Sequence, residues 1–242
     1  MDRTARAAAA LVFVLALAPA FADEAAIRKN LAERVPNLPK IDEVTKTAIP
    51  GLYELRLGTD ILYTDEDGNY VIEGQLIETK TKTNLTEQRV AKLTAIDFKT
   101  LPLKDAMVWK QGTGERKLVV FADPNCGYCK KFERDLQSVK DVTVYTFLYP
   151  ILGGDSPEKS KQIWCAKDNI QVWRDWMIKG TPIGESPACD TSVLQRNLAL
   201  GRKHRITGTP GLVYEDGRMQ PGALGAEAVE RQLVQSHGKS SS

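Results

Sequence analysis

KLVVFADPNCGYCKKFERDLQSV, residues 117–139, is the stretch that decides the fold. It predicts a strand, a tight turn and a helix. Leu118, Val119, Val120 and Phe121 form a short apolar run suited to a pleated surface. Asp123, Pro124 and Asn125 are turn residues. Phe132, Leu136 and Val139 then recur at helical spacing. A Cys-x-x-Cys pair, Cys126 and Cys129, therefore sits where the strand hands over to the helix. Helix N-terminal N–H groups and the dipole favour a thiolate, which makes Cys126 the candidate nucleophile. Cys129 lies one turn further along the same face and reaches back to it.

Working outward, the chain has 242 residues, enough for one large domain or two modest ones. Its 42% hydrophobic and 26% charged content fits a globular chain. A net charge of +2 without a basic block leaves no nucleic-acid footprint. The first 22 residues read as a cleaved signal peptide. Arg3 and Arg6 form a basic start, Ala7 to Leu17 an apolar stretch, and Ala20-Phe21-Ala22 a small-x-small cleavage site. The mature chain is expected to begin at Asp23, with a charge of about +1. Export places all four cysteines where disulfides persist.

Asp23 to Val35 predicts an amphipathic helix with Ile27, Leu31 and Val35 on one face, ended by Pro36 and Pro39. Residues 49–83 read as strands and turns, with Asp67-Gly68 as a hairpin signal. This region of about 60 residues is small for an independent core and is expected to gain stability by packing on another domain or a second copy. Asn84 to Leu101 predicts a linker helix with Thr86 as cap and Val90, Leu93 and Ile96 on one face. Asn84-Leu85-Thr86 also matches a glycosylation sequon, a pattern common by chance. Beyond the Cys-x-x-Cys helix, residues 142–148 predict a strand and 156–179 a helix broken near Asp168-Asn169, with Trp164, Trp173 and Trp176 as core. Asp190 is expected to cap a helix through Leu200. Strands at 212–215 and 218–220, a closing helix at 226–234 and a frayed tail at 238–242 complete the reading. The order is that of a thioredoxin-like domain with a helical insertion.

Three chemistries compete for Cys126 and Cys129. Zinc wants four ligands at paired spacing, whereas Cys165 and Cys189 lie far apart and neither histidine, His204 or His237, neighbours a cysteine. A purely structural bridge across so short a loop adds little chain-entropy stabilisation. Redox chemistry needs this spacing, a helix N-terminus and an accessible first sulfur. Cys165 and Cys189 are expected to form a structural disulfide, since an exported chain rarely leaves two thiols unpaired and their loop contributes roughly 3 kcal/mol. No metal or cofactor is expected. Thr209-Pro210, ahead of a late strand, is a candidate cis bond beside Cys126; cis X–Pro bonds are a small minority, and the Cys-x-x-Cys context raises the odds.

FADPNCGYCKKF, IWCAKD, Cys189 and GTPGLV together resemble the periplasmic protein-disulfide isomerases of the DsbC family. The resemblance covers essentially the whole mature chain. It implies an α+β dimerisation domain at 23–85, a linker helix at 86–106 and a thioredoxin-like catalytic domain at 107–242. It implies a V-shaped homodimer with an uncharged cleft. Cys126 would attack and Cys129 would resolve. Gly127, Tyr128, Thr209 and Pro210 would contact substrate, and Cys165–Cys189 would be structural. Substrates would be misfolded, disulfide-containing exported proteins, and electrons would come from a membrane thiol reductase of the DsbD type. A DsbG-like reductase protecting single cysteines, a dimeric holdase chaperone and a monomeric thioredoxin-like reductant are the rival roles.

Two departures from the thioredoxin pattern stand out. That pattern resembles a buried acid six residues before the first cysteine. Val120 stands there, so no carboxylate base for Cys129 is evident. Asp123 is nearer but is expected to be exposed in the turn. Lys130 adds positive charge beside the pair and is expected to be solvated.

Overall fold

The computed structural model describes residues 20–240. Of the expected signal peptide, residues 1–19 lie outside that range. The chain divides into two compact units, with the boundary between Val90 and Ala91.

In the first unit, α1 (Ala20–Arg34) runs through the expected cleavage junction at Ala22-Asp23. It lays Ile27 and Leu31 on the sheet and leaves Val35 outside the packed face. The sheet is antiparallel in the order β1 (Glu43–Lys46), β2 (Leu52–Leu57), β3 (Asp60–Asp65), β4 (Val71–Ile72). On β2, Tyr53, Leu55 and Leu57 point into the core while Leu52, Glu54 and Arg56 are half-buried, the period-2 pattern of a strand with one covered face. Two features differ from expectation. β1 carries no apolar alternation and is held by charge, with Arg56 and Arg89 both bonding Glu43. The tightest hairpin turns at Gly58-Thr59, where Leu57 pairs with Asp60; Asp67-Gly68 lies in a longer connection between β3 and β4. Gly68 has φ +64°, and a Cβ there would press on Leu31 and the Ile27 carbonyl.

Residues 75–83 contribute only a two-residue pair, β5 (Ile77–Glu78) with β6 (Thr83–Asn84). The helix that follows, α2 (Leu85–Leu93), is shorter than the expected linker helix. Its cap is Asn84, whose Oδ1 accepts the Glu87 N–H. Thr86, expected to be the cap, is buried instead. Its hydroxyl bonds the Tyr63 hydroxyl and accepts the Leu76 N–H. Beyond Leu93 the chain passes through 3-10 turns at Phe98–Thr100 and Leu103–Asp105, the first capped by Asp97.

The second unit is a five-stranded mixed sheet. Its elements are β7 (Met107–Gln111), β8 (Arg116–Ala122), α3 (Gly127–Leu136), β9 (Val142–Leu148), α4 (Ser156–Cys165), α5 (Asn169–Arg174), a π turn at Asp175–Lys179, α6 (Ser192–Lys203), β10 (Gly211–Tyr214), β11 (Met219–Pro221) and α7 (Ala226–Ser240). The order across the sheet is β11-β10-β8-β9-β7, with β8 and β9 parallel and the other pairs antiparallel. β8 is central, so both its faces are covered. Leu118, Val120 and Ala122 pack in the core that holds Cys129, Phe132, Leu136, Trp173 and Leu233. Val119 and Phe121 pack on the opposite side with Phe147, Tyr149 and Ile206. β7, an edge strand absent from the sequence reading, exposes Val108 between buried Met107 and Trp109.

α7 continues past the expected end at Val234, because Val229, Leu233 and Ser236 keep one buried face at helical spacing. The segment expected to fray is helical as far as Ser240. Cys165, at the end of α4, is bonded to Cys189 and ties down the irregular stretch before α6.

Gly201 on α6 lies against Tyr149, whose hydroxyl donates to the Ile206 carbonyl. A Cβ there would collide with the buried ring. Overpacking costs about 1–3 kcal/mol, while Ala adds about 1 kcal/mol of helix propensity. Gly201→Ala is therefore expected to lose up to about 2 kcal/mol net, read as a lower urea midpoint at unchanged slope.

Candidate active site

Cys126 is the N-cap of α3, with φ −75° and ψ 114°. Its Sγ accepts the Cys129 N–H at 3.0 Å. The same sulfur lies 3.3 Å from the Thr209 carbonyl oxygen, to which the thiol donates. Thr209-Pro210 is a cis peptide bond. The turn before the helix closes by Cys126 N–H bonding the Asp123 carbonyl. Cys126, Cys129 and Thr209 are thus brought together across 83 residues of chain. Gly127 and Tyr128 are exposed, with Tyr128 72% accessible at the tip. Cys126 itself is buried, at 4% exposure, contrary to the accessible sulfur expected from the sequence. The loop carrying Thr209 and the core beneath the helix cover it.

The two thiols are driven in opposite directions. The hydrogen bond with Cys129 is the largest cause lowering Cys126, to about 6; burial opposes it, and the Thr209 side chain and the N–H groups of Cys129 and Tyr128 add to it. Burial pushes Cys129 well above the usual thiol range, reinforced by its hydrogen bond to Cys126 and by that neighbour's charge. The surroundings favour a thiolate at Cys126 and a protonated thiol at Cys129.

Asp123 corrects the sequence reading. It is fully buried, not exposed. Its Oδ1 accepts from Asn125 N–H and Ser156 Oγ, and its Oδ2 from Leu152 N–H. It holds the Cys loop to the segment after β9. Asn125 extends that network to Asp155, Ser156 and Lys159. Lys130 also departs from expectation. Its Nζ sits 3.9 Å from the Trp176 ring centroid, with Lys159 Nζ at 4.4 Å. Burial first, then the charges of Lys159 and Arg134, lower its pKa. Trp176 Nε1 donates to the Pro124 carbonyl, so this aromatic braces the turn before Cys126. Trp173 is fully buried as expected, while Trp164 and Trp176 are only partly covered.

Glu133 was missed. It is 2% exposed on α3, and its Oε1 accepts from Trp173 Nε1 at 2.7 Å. Burial pushes its carboxyl up to about 7 against the Trp173 hydrogen bond and the Arg174 charge. The signal was present in the sequence. Cys129, Phe132, Glu133 and Leu136 follow i, i+3, i+4, i+7, which puts an acid on the apolar face.

Two family models match the chain. "Disulfide bond isomerase protein N-terminal domain" covers residues 18–87 and "Thioredoxin-like domain" covers 103–237. A Bordetella pertussis protein named "Probable thiol:disulfide interchange protein DsbC" is 43% identical over 210 residues, spanning 86% of this chain and 73% of that one. The Escherichia coli thiol:disulfide interchange protein DsbC is 28% identical over 208 residues, spanning 83% of each. A crystal structure of a disulfide interchange protein from Neisseria gonorrhoeae superposes with a TM-score of 0.54 at 35% identity, over 57% of this chain and 99% of that one.

Alkylation of Cys126 should follow its thiolate fraction, with a midpoint near pH 6 and a steep loss of rate below it; a midpoint near 9 would contradict the geometry. Glu133 acts on stability with the opposite slope. Its native carboxyl holds a proton that the unfolded chain releases near 4.5, so its contribution is full below that pH and lost as pH rises through about 7. Glu133→Gln should flatten the urea-midpoint profile over that window by an amount on the order of 3 kcal/mol.

Proposed function

Because the chain belongs to the DsbC family of thiol:disulfide interchange proteins, we propose that it isomerises and reduces non-native disulfides in exported proteins through Cys126 and Cys129. The observation that carries this reading is the opposed setting of the two sulfurs, a lowered Cys126 at the helix N-cap and a raised Cys129 beneath it. Cys126 thiolate attacks a substrate disulfide and one substrate sulfur leaves as a thiolate. A mixed disulfide remains. When that freed thiol, or another in the substrate, attacks the mixed disulfide, the substrate is rearranged with no net electron transfer. When Cys129 attacks, the substrate leaves reduced and the Cys126–Cys129 pair is oxidised.

Around that chemistry, Gly127 and Tyr128 at the exposed tip and Thr209-Pro210 beside Cys126 contact the substrate chain. Cys165–Cys189 is a structural bridge with no part in exchange. Residues 23–85 form the dimerisation domain, 86–106 connect it, and 107–242 form the catalytic domain of a homodimer in the periplasm, after cleavage behind Ala22. Repeated cycles of reduction need a donor for the oxidised pair, a membrane thiol reductase of the DsbD type.

Refolding of a scrambled multi-disulfide protein tests the reading. The full-length protein with a reduced pair should restore native pairing, and Cys126→Ser should reduce the rate to background. Trapping by alkylation in cells should find the pair mostly reduced. A fully oxidised steady state would make the protein an oxidase and overturn the proposal.

A further inference from the structure

Cys129 must lose a proton before it attacks, yet burial, its hydrogen bond to Cys126 and that neighbour's charge hold the proton in place. Two buried carboxylates flank the pair in sequence, Asp123 before it and Glu133 after it. Asp123 already accepts three hydrogen bonds on its two oxygens, which tie it to the turn, Leu152 and Ser156. Glu133 is different. Trp173 Nε1 occupies Oε1, and Oε2 is buried with no hydrogen-bond partner among the described residues. A buried carboxylate oxygen without a donor is costly, on the order of 1–3 kcal/mol, and calls for a reason. Glu133 lies four residues after Cys129 on α3, and both face the same core. Residues so spaced are neighbours, with Cβ atoms roughly 5–6 Å apart. Long side chains on a helix lean toward its N-terminus, so Glu133 leans toward Cys129.

We infer that the Glu133 carboxylate is the proton acceptor for Cys129 in the resolving step, with Trp173 fixing its orientation. The inference rests on the roles proposed above for the two cysteines. In the step, the Cys129 S–H proton passes to Glu133 and the sulfur attacks the Cys126 sulfur of the mixed disulfide. The Cys126–Cys129 bond forms as the Cys126–substrate bond breaks. The substrate leaves as a thiolate, reduced by two electrons in all, and the cysteine pair is oxidised. Glu133 then returns its proton to solvent or to the departing thiolate. A carboxyl that titrates near neutrality is matched to this exchange. The charged group that bears on it from a neighbouring element is Arg174 on α5. Only Arg174 contributes a charge effect at the carboxyl, and it acts to lower its pKa.

The experiment follows dithionitrobenzoate reduction by full-length reduced protein. Attack by Cys126 releases the first thionitrobenzoate and attack by Cys129 the second, so the two steps separate in time. Glu133→Gln should slow the second phase by at least about tenfold near pH 7, recovering as pH rises, while the first phase changes less than about twofold. Trp173→Phe keeps the carboxylate but removes its donor, and should move the pH midpoint of the second phase upward. This variant also decides the matter if Glu133→Gln fails to fold. Unchanged second phases in the folded variants would overturn the inference and leave the roles of the cysteines standing. A first phase without activation near pH 6 would instead overturn the reading of Cys126.

Discussion

The contact between Cys129 and the Cys126 sulfur, to which the Cys129 backbone N–H also donates at 3.0 Å, is what the rest of this site is arranged around. It works because Cys126 occupies the N-cap, where the first-turn N–H groups have no helical partners and a thiolate supplies one. The same geometry places Cys129 inside the first turn, under the core, where its proton is hard to remove. The hydrogen bond between the two cysteines lowers Cys126 and adds to the rise that burial imposes on Cys129. The asymmetry depends on the wall opposite, formed by Thr209 at the entrance to β10.

The scaffold beneath keeps that turn fixed by covering β8 completely. Its two sets of side chains belong to two different cores, and the chain leaves the sheet at Ala122 directly into the Asp123 network. Asp123 organises donors from the turn, from the segment after β9 and from Ser156. Trp176 adds a bond to the Pro124 carbonyl and carries two lysines over its ring. Positive charge is thus gathered near the pair on an aromatic face, where a solvated lysine would be screened.

Much of this was legible in the sequence. The apolar run at 118–121, the turn residues, the Cys-x-x-Cys pair and the helical spacing behind it encode local structure, and local structure follows from side-chain periodicity. The strand at 142–148, the break near Asp168 and the buried Ile27 and Leu31 were legible for the same reason. β1 was not, because its ladder to β2 and the ion pairs on Glu43 hold it, and Val44 is its one apolar residue on the core. The linker helix stops at Leu93 because the residues beyond adopt 3-10 turns, the first stabilised by Asp97.

By itself the sequence determined the Cys-x-x-Cys pair and the strand, turn and helix that carry it, since periodicity, turn residues and spacing are local properties. Only the tertiary structure decided their environment. It buried Cys126 and Asp123, laid Lys130 on Trp176, paired Glu133 with Trp173 and brought Thr209 to the active sulfur across 83 residues. Burial and proton affinity depend on what the rest of the chain packs around a group. That packing joins residues far apart in sequence, and no local pattern records it.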